Sequence, residues 1–74
     1  MSKFPAVKPR QVVWVLLKIG FTKHSRMRGS HLVLKHSDGR RTTVPMHRKD
    51  VPIGTLLAIL KDMKIPKEEF LDLL

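Results

Sequence analysis

Residues 31 to 46 of this 74-residue chain leave little choice of fold. Ser37-Asp38-Gly39 separates two strand-like runs, 31–36 and 40–46. The tripeptide matches a three-residue hairpin loop, a type I turn closed by a glycine in the left-handed conformation. Such a loop pairs His36 with Arg40, so Leu34 faces Thr42 and Leu32 faces Val44. Leu32, Leu34 and Val44 then gather on one side of the ribbon. The other side takes His31, Val33 and Lys35 with Arg41, Thr43 and Pro45. A slip of one residue would carry Arg41 beneath Leu34, so the turn and the hydrophobic pattern select the same register. A sheet with one apolar and one polar face needs helices on the apolar face alone.

Those helices are legible on either side. Pro9 suits a first helical turn and Gly20 suits the position after a last one, so a helix is expected over 9–19. The β-branched Val12, Val13 and Val15 favour a strand instead, but the boundary signals and the length outweigh them. Val13, Leu16 and Leu17 share its core face, flanked by Val12 and Ile19, and Trp14 and Val15 fall off it. Trp14 reads as a ring partly buried at the helix edge or, with Val15, as a contact for a protein partner. Residues 21–27 read as a short polar strand and 28–30 as a turn. Pro52 opens a second helix on which Leu56, Ile59, Leu60 and Met63 follow i, i+3, i+4, i+7 spacing, widened by Ile53 and Leu57. Ile65-Pro66 ends it, and a short acidic helix runs to Leu74, with Phe70, Leu71 and Leu74 packing back. The expected class is α+β in α-β-β-β-α order: a three-stranded antiparallel sheet, two helices on one face and a short C-terminal helix. Residues 1–8 read as an N-terminal extension and 9–74 as one domain.

Charge narrows the partners. Fifteen Lys and Arg against six Asp and Glu leave a net +9. Residues 1–50 hold twelve basic and two acidic side chains, whereas 51–74 hold three and four. A merely soluble basic surface is the plain reading. Blocks this one-sided on a small domain repel themselves, which favours a polyanionic partner. The absence of cysteine excludes disulfides and thiolate zinc sites. The longest apolar run, Val12 to Leu17, is too short to span a bilayer, and Met1 to Arg10 lacks the apolar stretch of a secretory signal. A cytoplasmic protein without a membrane role is expected. A chain of this size has little room for a deep cofactor pocket, and no cofactor is expected.

All four histidines lie between 24 and 47, among Lys23, Arg26, Arg28, Lys35, Arg40 and Arg41, with Asp38 the one acid in that window. Imidazoles amid cations suit work on phosphodiesters: the cations hold the phosphate and a histidine moves a proton. Arg28-Gly29-Ser30-His31 is the foremost candidate, although a Gly-Ser-His tripeptide alone is weak and a surface histidine is more often inert. His24, His31, His36 and His47 show neither metal-ligand spacing nor a companion carboxylate cluster, so no metal site is expected. A second constellation runs from Val44-Pro45-Met46-His47 to Pro52-Ile53-Gly54-Thr55. His47 extends the third strand on the side of His31. Gly54 and Thr55 either present N–H groups and a hydroxyl to a phosphate, or serve close helix packing and capping.

Taken in order, Gly20-Phe21, Gly29-Ser30-His31, Asp38-Gly39-Arg40, Val44-Pro45-Met46-His47, Gly54-Thr55-Leu56 with Ile59-Leu60, and Glu69-Phe70-Leu71 resemble the HicA family of toxin–antitoxin mRNA interferases. The likeness covers about residues 9 to 73. It implies a double-stranded-RNA-binding-domain-like fold, ribonuclease activity, a catalytic histidine in the Gly-Ser-His motif, which is His31 here, and a HicB-type antitoxin covering the active face. Residues 1–8 lie beyond the usual family start.

The function expected is a metal-independent endoribonuclease acting on mRNA, in which the 2′-OH of RNA is the nucleophile. His31 takes its proton or protonates the leaving oxygen, as an imidazole with a free pKa of about 6.5 can near neutrality. His47 is a possible second proton carrier. Arg28, Lys35 and Arg41 are expected to stabilise the phosphoryl oxygens, and Lys23, Arg26, Gly29, Ser30, Gly54 and Thr55 to help bind RNA. The alternative is a non-catalytic RNA-binding module of the same fold. A DNA-binding regulator is disfavoured, since no helix clusters Arg, Lys and Asn.

Overall fold

The computed structural model describes residues 4–24, 29–47 and 49–74. Helix α1 spans Pro9–Ile19, the length that its two boundary residues predict. Lys8 precedes it in extended conformation and its N–H donates to Gln11 Oε1 at 2.7 Å. The C-terminus closes with two reversed bonds, Gly20 N–H to Leu17 O and Phe21 N–H to Leu16 O. Gly20 sits at φ +115, and a Cβ there would lie 3.0 Å from His36 Nε2, so glycine is required twice over.

Because Phe21 completes this cap, it does not open a strand; its ring is buried in the core. Strand β1 is reduced to Thr22–Lys23, followed by β2, His31–Lys35, and β3, Arg41–Pro45. The 21–27 strand expectation is thus shortened at its start, and its end lies outside the described residues. The three strands form an antiparallel sheet in the order β1-β2-β3. The β2–β3 register agrees with the hairpin argument at every position: Leu34 opposite Thr42, Leu32 opposite Val44, His31 opposite Pro45. Gly39 adopts φ +100, and His36 N–H donates to Arg40 O at 2.8 Å.

Helix α2, Ile53–Asp62, follows Pro52, and helix α3, Lys67–Leu73, follows Pro66. The core joins Leu32, Leu34 and Val44 of the sheet to Val12, Val13, Val15 and Leu16 of α1, Leu56, Ile59 and Leu60 of α2, and Phe70 of α3. The helices therefore cover one sheet face, as expected. Val7 is also buried in this core, its carbonyl accepts from Val51 N–H, and Phe4 packs its ring on Phe70 with centroids 6.1 Å apart.

Several burial expectations are overturned. Val15 is fully buried, whereas Leu17 is 39% exposed. Helix α1 packs against both β3 and α3, a two-sided seat that draws in the Val15 edge of the helix. Ile53 and Leu57 are exposed, because the buried stripe of α2 is the narrower Leu56, Ile59, Leu60. Phe70 and Leu71 pack back as expected, but Leu74 is exposed beyond the end of α3 and Leu73 packs on the core in its place. None of the described helices is long and apolar enough to cross a membrane.

Candidate active site

The open face of the sheet holds most of the candidate residues. In antiparallel pairing, residues opposite one another project to the same side. The register therefore places Thr22, Lys35 and Arg41 in one row. His24, Val33 and Thr43 form the next, since His24 N–H donates to Val33 O. His31 and Pro45 form the last. None of these residues is acidic.

His31 is exposed at the end of β2. Met46 N–H donates to Ser30 O, which carries the β2–β3 ladder one step beyond the strands. That bond brings the Gly29-Ser30-His31 segment alongside Met46-His47. The result is an imidazole pair: the His31 and His47 rings meet edge to face with centroids 6.3 Å apart. Both are exposed. Gly29 turns at φ +63 with open space around its Cα, so backbone conformation accounts for glycine there.

His36 sits on the other side of the sheet, as the alternation of β2 requires. Its Nδ1 accepts from Asp38 N–H at 3.1 Å, its Nε2 donates to Ile19 O at 3.3 Å, and its ring meets Phe21 edge-on. Arg40 is bound as tightly. Its Nε donates to Asp38 Oδ2 at 2.8 Å, its Nη1 to Met63 O, and its guanidinium lies over Phe21. The Arg40 N–H, foremost, holds the Asp38 carboxyl below the usual carboxylate range against desolvation, with its guanidinium and then His36 adding to the lowering. These groups build the scaffold.

The expected cations do not all converge. Lys35 and Arg41 share a row of the open face, but four residues of strand, about 13 Å, separate that row from His31. The sheet therefore does not set Lys35 and Arg41 directly beside the His31 ring. Lys23 lies opposite Leu34 and so belongs to the helix-covered side, at the exposed sheet edge. Arg26 and Arg28 lie outside the described residues. Gly54 and Thr55 are exposed on the first turn of α2. Nothing lies within 4 Å of a Cβ built on Gly54, and α2 has no side-chain cap, so neither packing nor capping explains them. Trp14 is 56% exposed, with the Lys18 ammonium 4.7 Å from its ring centroid. Val15, its expected companion in partner binding, is corrected: fully buried, it has no surface to offer.

Sequence reasoning passed over Lys8 and Arg10. An open cleft of about 310 Å³ is lined by Lys8, Pro9, Arg10, Met46 and His47. The run Lys8-Pro9-Arg10, two cations flanking a helix-starting proline, was the available signal.

The geometry thus pairs two imidazoles on the water-facing side of the sheet in a small α-β-β-β-α-α domain. No curated protein matches the chain. A family model described as "HicA toxin of bacterial toxin-antitoxin" matches residues 9–65. That span holds α1, the whole sheet, α2 and both rings of the imidazole pair, and the chain belongs to the HicA toxin family of bacterial toxin–antitoxin systems.

Proposed function

We propose that this protein is an mRNA interferase: a metal-independent endoribonuclease that His31 enables. The observation that carries the reading is the exposed His31 ring set against His47 on a face without acids. RNA brings its own nucleophile, the 2′-OH beside the scissile phosphate. One imidazole takes the 2′-OH proton as the oxygen attacks phosphorus. The other protonates the departing 5′-oxygen. The P–O5′ bond breaks as the P–O2′ bond forms, leaving a 2′,3′-cyclic phosphate. Two rings this close can serve one phosphodiester. Lys35 and Arg41 hold the strand to one side of the reacting bond, where their row of the sheet meets neighbouring phosphates.

A toxin of such a system has an antitoxin partner. We infer a HicB-type protein that masks the open sheet face with acidic groups, making the complex salt-sensitive.

The test compares the wild type with His31→Ala on labelled single-stranded RNA in the presence of EDTA. The expected result is rapid decay with the wild type, 2′,3′-cyclic or 3′-phosphate ends, and no cutting of DNA, which lacks the 2′-OH. Equal cutting by His31→Ala removes His31 as the catalyst. Ends bearing 3′-hydroxyls point to attack by water. A stable gel shift without decay identifies a non-catalytic RNA-binding module.

A further inference from the structure

We propose that the cleft between the start of α1 and the end of β3 is a subsite for the nucleotide adjoining the scissile phosphate, with Arg10 holding its phosphate and Pro9 and Met46 flooring its sugar and base. The proposal rests on the ribonuclease reading for the position of the scissile bond, and on independent geometry for the subsite.

The cleft shares His47 with the imidazole pair, so whatever fills it lies next to the reacting bond. Its volume, about 310 Å³, falls at the lower end of the range for small-molecule sites, the scale of one nucleotide. Its walls suit that ligand: Arg10 is exposed and pairs with no carboxylate among the described residues. Pro9 and Met46 are partly or fully sequestered apolar groups, and a methionine adapts its shape to a flat ring. Lys8 adds positive charge at the rim, shared with Asp50 at 3.0 Å. Side chains do most of the holding, because Pro9 has no N–H and the Gln11 and Val12 N–H groups both donate to Lys8 O.

Among the described residues, with Lys35 and Arg41 about 13 Å away along the strand, Arg10 and Lys8 are the cations that the structure places beside His47. Part of the chain that precedes the sheet thereby enters the RNA path, across α1 rather than along the strands.

The test uses the full chain carrying His31→Ala, which traps uncut substrate, and a short mixed-sequence single-stranded RNA with a fluorophore. Adding Arg10→Gln should weaken binding about fivefold to tenfold and lower the salt slope by about 0.7, one single-strand phosphate contact. Arg10→Glu should weaken it further. Lys61→Ala, which removes the same charge from the last turn of α2, should change both by less than a factor of two. The Met46 methyl resonance should shift on titration with the RNA. Unchanged affinity and slope for both Arg10 variants, or a stationary Met46 methyl, overturn the subsite. If the wild type cuts RNA and Arg10→Gln binds as before, the subsite falls and the nuclease stands. If the wild type does not cut but binding depends on Arg10, the nuclease falls and the subsite stands.

Discussion

The two ends of the β2–β3 ribbon hold the same kinds of residue and put them to opposite uses. At one end stand Ser30, His31 and His47; at the other, Ser37, His36, Asp38 and Arg40. At the hairpin end His36, Asp38 and Arg40 all have protein partners. His36 joins Ile19 O to the Asp38 N–H, and Arg40 joins Asp38 to Met63 O. That network fixes the hairpin to the C-terminal ends of both α1 and α2. At the far end the exposed imidazoles, among the described residues, meet each other. A histidine's role is set by what satisfies its nitrogens, and strand alternation decides this: five positions separate His31 from His36, an odd number, so they face opposite sides.

The sharpest break of this comparison exchanges the loss of one histidine for the other. His31→Ala should lower the RNA cleavage rate by about 10²–10⁴-fold, the usual worth of a proton-transfer group, and leave thermal stability within about 0.5 kcal/mol. His36→Ala should do the reverse. It deletes two hydrogen bonds and the edge contact with Phe21, at a cost of about 2 kcal/mol, while the folded fraction keeps its cleavage rate. Rate assays and denaturant melts on both variants decide the matter. If His36→Ala cut as poorly as His31→Ala while folded, the division between the two ends would be wrong.

Much of this division is legible in the sequence, and the reasons are local. Pro9 and Gly20 bound α1 because both act through their own backbone torsions. Ser37-Asp38-Gly39 fixes the register, and the register alone puts His31 and His36 on different faces. What the sequence hides depends on distant packing. Val15 and Leu17 occupy opposite edges of the same helical stripe, and only tertiary packing, in which α1 meets both β3 and α3, makes one of them core. Lys8 and Arg10 join the candidate site because Val7 buries itself in the core and its carbonyl binds Val51, which ties residues 4–8 to the loop before α2. The count of cations was legible; their distances from His31 were not, since periodicity reports faces and only the completed sheet reports how far along a face two groups stand.

A smaller effect sharpens the contrast within the open face itself. Lys35→Ala and Arg41→Ala should each weaken RNA binding about twofold to fivefold and reduce the salt slope by about 0.7 per contact, without changing the rate at saturating RNA. Both share the row about 13 Å from His31, so they contribute to binding equally in substrate and transition state. Titrations at several salt concentrations and single-turnover rates separate the two quantities. A fall in the saturated rate would bring this row into contact with the reacting phosphate and collapse the distinction between strand-holding and bond-breaking groups.

The smallest expected effect tests the hairpin end through pH. The Asp38 carboxyl is held below its usual range, first by the Arg40 N–H and then by the Arg40 guanidinium. A carboxylate with a depressed native pKa binds fewer protons in the folded than in the unfolded protein, so its stabilisation is complete above the unfolded value of about 3.9 and is lost as pH falls through the lower native one. Asp38→Asn keeps an oxygen for the Arg40 N–H and deletes the charge. The variant should therefore be slightly less stable than the wild type at neutral pH, and the gap should close in acid below the native value. Urea melts at a series of pH values measure it. A gap that stays constant into acid would mean that Asp38 acts only as a neutral acceptor, with the charge of Arg40 serving Met63 O alone. Cleavage at neutral pH should be unchanged in the same variant, because the hairpin network holds the fold about 13 Å along β2 from His31.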